Sequence, residues 1–168
     1  MIFIYNCFAG THTSSIASAV HLKELPLDRI PEKEEFKNID FFNKLDTKDM
    51  GKILFRGTDD EGNKVFTLGR GTSKVLIPCF ENLITIFHND YGFLEKVVLS
   101  NMSPTVPRVM SFGGFVSRGL GIGFIGDPFV LIGARQAYMT IVQVVDRTKK
   151  LASDMTGPVI VLENKPEK

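Results

Sequence analysis

Tryptophan is absent from this chain of 168 residues, cysteine occurs twice and histidine three times. Cys7 and Cys79 form no Cys-x-x-Cys pair and no His-x-x-x-His pair accompanies them, so the usual zinc spacings are excluded. An excess of charge of either sign is also missing. Twenty basic and nineteen acidic side chains leave a net charge of +1, which argues against a broad nucleic-acid surface. Long hydrophobic runs are missing too. The apolar start Met1-Ile-Phe-Ile-Tyr5 stops at Asn6, lacks a basic leader and is too short for a signal peptide or a membrane span. The expectation is a cytoplasmic protein without a membrane partner, in which the two thiols stay reduced.

What is present is an ordinary globular composition, 43% hydrophobic and 23% charged. A chain of this length buries roughly 70% of its unfolded surface and needs neither disulfide nor metal to fold. No internal repeat and no interdomain linker interrupts it. The reading is one domain over residues 1–163 followed by a solvated tail, 164–168.

Hydrophobic periodicity gives the elements. Ile2, Ile4 and Asn6 alternate with Phe3, Tyr5 and Cys7, and both sets are mostly apolar, as in a strand covered on both faces. A helix follows from Thr13 or Ser14, with Ile16, Ala19 and Val20 as its inner stripe. Pro31 to Phe36 reads as a short acidic helix opening with proline at its first position. Residues 52–57 and 64–69 read as strands around the loop Asp59-Asp-Glu-Gly-Asn63, a β-hairpin over about 52–69. Phe80, Leu83, Ile84 and Phe87 fall at helical spacing, with Pro78 near the start. Residues 95–100 predict a strand and Val106 to Val116 a helix containing Gly113-Gly114, retained for close packing or a kink. Gly121 to Gly126 predicts a strand, Phe129 to Ile132 a strand or helix start, and Ala134 to Val145 a long amphipathic helix. Pro158 to Leu162 suits an edge strand. Together these give an α/β class: a single three-layer domain with a mixed, largely parallel sheet and helices on both faces. Strand order does not follow from this.

The first strand–loop–helix junction is the leading candidate for a site. Helix N-termini present free amides and a favourable dipole to anions. Gly10 permits close backbone approach, while Thr11, Thr13, Ser14 and Ser15 bring four hydroxyls near the helix start. His12, at the centre of this loop, is the candidate acid or base. The loop is no Walker A motif, because His12 stands where a lysine should precede Thr13. It is no dinucleotide fingerprint either, having one glycine. Cys7 reads as core rather than nucleophile, and Cys79 as packing. His21 reads as a helix-surface or partly buried side chain, and Asp59, Asp60 and Glu61 as a charged hairpin tip rather than a metal set. In a second glycine loop, Gly69-Arg-Gly-Thr-Ser-Lys74, Arg70 suits phosphate or carboxylate. If Arg70 follows a strand beside the first, both loops open on one edge. Arg108, Arg118 and Arg135 are further cations of surface type.

The segments Gly10-Thr-His-Thr-Ser14, Gly57-Thr-Asp-Asp-Glu-Gly62, Thr67-Leu-Gly-Arg70 and Gly133-Ala-Arg-Gln-Ala-Tyr138 together resemble an uncharacterised bacterial family, domain-of-unknown-function family 3189. The resemblance covers about the first 150 residues and departs at the first loop, where Ala9-Gly10 stands for a Gly-Gly pair. It implies a single cytoplasmic domain in spore-forming bacteria and brings no reaction, cofactor or residue roles. Two classes of function stay open. One is an enzyme acting on a phosphorylated or nucleotide-like small molecule at residues 9–15. The other is a non-catalytic binding or regulatory protein, with a sporulation setting, a protein partner or self-association. Nucleic acid is not an expected partner.

Overall fold

The computed structural model describes residues 1–165. Its sheet has five strands in the order β2-β3-β1-β4-β5. The strands are β1 (Ile2–Cys7), β2 (Ile53–Thr58), β3 (Lys64–Gly69), β4 (Val97–Asn101) and β5 (Val159–Leu162). β1 lies at the centre, parallel to β3 on one side and to β4 on the other, and β5 continues parallel beside β4. Its two apolar alternations require this place, because a strand buried on both faces must have neighbours and layers all round. Only β2 runs antiparallel, closing the hairpin with β3, and its register slips between Phe55 and Gly57 so that Arg56 is bulged out.

The odd residues of β1, Phe3, Tyr5 and Cys7, enter one core with α1 (Thr13–His21), α2 (Lys33–Asn38), α4 (Arg108–Gly114) and α5 (Gly123–Ser153). Ile4 and its neighbours Leu68, Val97 and Leu99 face α3 (Leu76–Tyr91). The result is an α/β fold with helices on both faces of one mixed, mostly parallel sheet.

Several local expectations are corrected. Gly121 to Gly126 is not a strand: α5 begins at Gly123 and absorbs Phe129 to Ile132 as well. The reason is the crossing of α4 and α5. A methyl group at Gly113 would sit 2.7 Å from the Val130 nitrogen, one at Gly126 2.5 Å from the Gly113 carbonyl, and one at Gly133 2.5 Å from Met110 Cβ. These glycines mark backbone-to-backbone helix contact. They resemble strand spacing only because their large neighbours alternate with them. Between the two helices the chain widens into a π turn, Phe115–Gly119. Pro31 stands just before the cap residue Glu32, which with Glu35 forms a capping box. Asn164, assigned to a solvated tail, donates to Ser100 Oγ and the Asn101 carbonyl. By length and composition α5 could cross a membrane, with a mean hydropathy of 1.2 over its most apolar window. Its Val130, Ala134, Ala137, Tyr138, Ile141 and Val145 are nonetheless buried against the rest of the domain, and 39% of that window is buried.

Two buried polar clusters tie the hairpin to α1. Arg56 donates to Ser18 Oγ (3.2 Å) and Glu24 (2.8 Å), pairs with Asp40 at 3.1 Å, and lies over the Phe41 ring. His21 is fully buried, not on the surface. Tyr5 donates its phenol proton to His21 Nδ1 at 2.8 Å, and Nε2–H of the neutral ring donates to Asp59 at 2.9 Å. Asp59, expected at a charged tip, is half-buried as a residue but turns its side chain inward, 4% exposed, where it also accepts from the side chain and amide of Asn63 and the amide of Glu61. Burial alone would raise its carboxyl, but these hydrogen bonds win and hold it well below the usual carboxylate range. Burial lowers the His21 imidazole more than Asp59 raises it.

Both shifts act in one direction. A depressed carboxyl contributes stability above its unfolded value near 4, and a depressed imidazole disfavours protonation below about 6.5. Denaturant unfolding should therefore show stability falling as pH drops from 7 towards 4. Asp59→Ala should cost about 3 kcal/mol at pH 7 and flatten the decline below pH 5.

Candidate functional site

The site is built where β1 and β3 end. The chain leaves β1 toward α1 on one face and leaves β3 toward α3 on the other, the topological switch at which open α/β sheets take ligands. The loops after these strands run against each other. Arg70 N–H donates to the Cys7 carbonyl (2.9 Å) and Gly71 N–H to the Phe8 carbonyl (2.8 Å). Gly10, with φ +74°, approaches so closely that a methyl group there would lie 2.4 Å from the Gly69 nitrogen. One at Gly69 would lie 2.6 Å from the Ala9 carbonyl. The second glycine loop therefore does stand beside the first, on the same edge.

The predicted loop hydroxyls are brought together and turned inward. Thr11, Thr13, Ser14 and Ser15 are all wholly buried. Thr11 Oγ1 donates to the Phe41 carbonyl and accepts from the amides of Lys44 and Leu45. Thr13 donates to the Met102 carbonyl (3.1 Å) and Ser15 to the Gly10 carbonyl (3.1 Å). Thr67 Oγ1 lies 2.9 Å from both the Gly10 carbonyl and Ser14 Oγ, which also contacts Cys7 Sγ at 3.1 Å. Gly10 N–H donates to the same sulfur at 3.2 Å. Cys7 is thus a buried acceptor within the loop. The cap position of α1 is His12, and no hydroxyl caps the helix through its side chain.

His12 sits on the α1 side of this edge. Its Nε2 lies 3.3 Å from Asn43 Oδ1, Asn43 Nδ2 donates to Asp127 at 2.8 Å, and Ser117 Oγ donates to the same carboxylate oxygen at 2.6 Å. Gly114 leaves the ring its room, since a methyl group there would touch Cε1 at 3.0 Å. Sequence reasoning missed Asn43, Asp127 and Ser117, which come from three distant segments. The one local signal is a 40–45 loop in which both Phe41 and Asn43 adopt left-handed backbone angles, φ +62° and +53°. The loop is pinned by Asn43 N–H donating to the Thr11 carbonyl (2.9 Å).

On the α3 side the edge opens into a crevice of about 450 Å³. The loop Arg70 to Lys74 forms one wall, Ile77, Pro78 and Glu81 of α3 a second, and Val161 and Glu163 at the end of β5 a third. Among the described residues, Arg70 and Lys74 have no carboxylate within ion-pair distance. Glu163 accepts from Asn101 Nδ2 at 2.9 Å. Asn6, on the same sheet face, donates to the Ser100 carbonyl, and its buried Oδ1 has no hydrogen-bond partner among the described residues. Of the other predicted cations, Arg135 bonds to the Pro31 carbonyl away from this edge, Arg108 is exposed at the start of α4, and the Arg118 side chain lies outside the described residues. Cys79 is exposed on α3 rather than packed. Among the described residues no cluster of three His, Cys, Asp or Glu side chains could hold a metal.

Strand order, crevice position and the paired glycine loops define an open α/β domain of the switch-point type. A family model described as Protein of unknown function (DUF3189) matches residues 2–150, and the chain belongs to that family. No curated protein and no solved structure matches the chain.

The loop contact is open to a direct check. Gly69→Ala should destabilise the fold by about 3 kcal/mol or more, since the clash is with backbone on both sides. Gly62→Ala, with φ +81° but nothing within 4 Å, should cost only about 1–2 kcal/mol in the same urea titration.

Proposed function

We propose that this domain binds a small anionic molecule, phosphorylated or nucleotide-like, in the crevice between the Arg70–Lys74 loop, the start of α3 and the end of β5. The observation that carries the reading is the pairing of a crevice of about 450 Å³ at the switch point with two cations lacking carboxylate partners among the described residues. Arg70 and Lys74 would take the anion, arginine by its planar fork and lysine as a mobile point charge. Ile77, Pro78 and Val161 offer an apolar wall, and Glu81 and Glu163 accept from hydroxyl or amino groups at the other end. This composition suits a molecule with a phosphate at one end and a flat or polar-donor group at the other. The sequence reading placed the anion on residues 9–15. The buried hydroxyls there favour the neighbouring loop, with Gly10 supplying close approach. The reading is one of binding, in a cytoplasmic setting, and assigns no reaction.

His12 keeps a second reading as an acid or base. It is favoured by the chain Asp127–Asn43–His12, which fixes the imidazole as a carboxylate–amide pair would in a proton-transfer site.

Thermal-shift titrations with pyrophosphate, AMP and ATP distinguish the sites. At least one should raise the melting temperature. Arg70→Ala combined with Lys74→Ala should weaken its binding tenfold or more, a loss of about 1.4 kcal/mol or greater. His12→Ala should leave affinity within about twofold. The opposite pattern would put the anion on the α1 side, and no shift with any of the three would remove the proposal.

A further inference from the structure

The sheet face that carries α3 is only half covered. Turning 100° per residue, α3 lays Ile77, Phe80 and Ile84 on the sheet and points Glu81 toward the β5 side of the crevice. Its other flank, with Leu83, Ile86 and Phe87, is left partly exposed, and Phe87 packs edge-on only against Tyr91 of the same helix among the described aromatic rings. On the sheet beside that flank, strand alternation puts Ile53 and Phe55 of β2 on the same face as Phe66 and Leu68, and Phe55 packs edge-on against Phe66. Phe66 in turn belongs to the α3 cluster, so the bare strands and the helix are continuous. Ile53, Phe55, Leu83, Ile86, Phe87 and Tyr91 are 41–76% exposed. With large apolar side chains worth on the order of 150–200 Å² each, about 450–600 Å² of apolar surface is bare. That is at the upper end of the ~300–600 Å² of the largest patch on a typical monomer, a size that is often functional, and it would supply more than half of the ~800 Å² each partner brings to a standard interface.

We propose that a second copy of this chain covers this face, in a two-fold dimer in which each α3 flank lies over the β2–β3 half-sheet of its partner. Each copy carries both halves of the contact, a helix flank with no seat and a half-sheet with no helix, which is what an isologous interface requires. Charge agrees. The free flank of α3 carries Asp90, and the helix has neither lysine nor arginine, whereas β3 places the exposed Lys64 on the receiving face. Packing α3 on the opposing β2–β3 pair therefore brings an acidic helix flank to a strand that carries an exposed base. A second exposed apolar group, around Phe124 at the start of α5, lies on the other layer and serves as the control.

Sedimentation velocity of the full chain at tens of micromolar tests the dimer. The wild type should sediment as a dimer. Leu83→Glu on the helix flank and Phe55→Glu on the half-sheet should each raise the dissociation constant at least a hundredfold. Both positions are solvent-facing within one copy, so far-UV circular dichroism should be unchanged. Phe124→Glu should leave the dimer intact. A monomeric wild type overturns the proposal. So does a dimer that survives both Leu83→Glu and Phe55→Glu, or one that Phe124→Glu alone dissolves.

Discussion

The contact on which the rest depends is the close approach of two backbones where β1 and β3 end. Gly10 and Gly69 meet at distances that leave no space for a side chain. The amides of Arg70 and Gly71 are spent on the carbonyls of Cys7 and Phe8. Parallel pairing thus continues two residues past the sheet before the chains part to opposite faces. A bulkier residue at either position would push the β3 loop outward, away from the edge where Arg70 and Lys74 now stand.

That contact also explains what the polar first loop is for in this fold. A turn of five residues between β1 and α1 is wedged under the 40–45 loop, the Met102 segment and α4, and its polar atoms are cut off from water. Buried hydroxyls must find partners or cost free energy. The four hydroxyls and the Cys7 sulfur answer one another and the surrounding carbonyls. Thr11 alone ties three backbone groups of the 41–45 segment to the loop. The same wedge holds His12 against Asn43 and, through it, Asp127. The two sides of the edge differ in consequence: a sealed and fully bonded side under α1, and an open one under α3 with its cations turned outward.

The pattern of burial follows from how unevenly the layers are stocked. Four helices crowd one face, and α5 alone, at 31 residues, spans it. One helix serves the other. The glycines at 113, 126 and 133 make the crowded face possible by letting α4 and α5 touch through their backbones. The thin face leaves apolar flanks on α3 and β2 partly exposed.

The strands β1 to β5, the hairpin and the α3 stripe were legible in the sequence because period and turn chemistry are local. So was the pairing of glycine loops, once β3 is known to lie beside β1. Gly121 to Gly126 misled because spacing cannot tell glycine kept for helix crossing from glycine in a strand. Cys79 looked like packing because an apolar arc shows width, not which half is covered. His21 read as surface or partly buried and Asp59 as a charged tip because the two partners lie 38 residues apart. By itself the chain determined its class, its family and a first strand covered on both faces, all consequences of short-range patterning. Strand order, the inward turn of the hydroxyls, the His12–Asn43–Asp127 chain and the crevice at Arg70 were decided by tertiary structure alone, because each requires segments that only packing brings within hydrogen-bond reach.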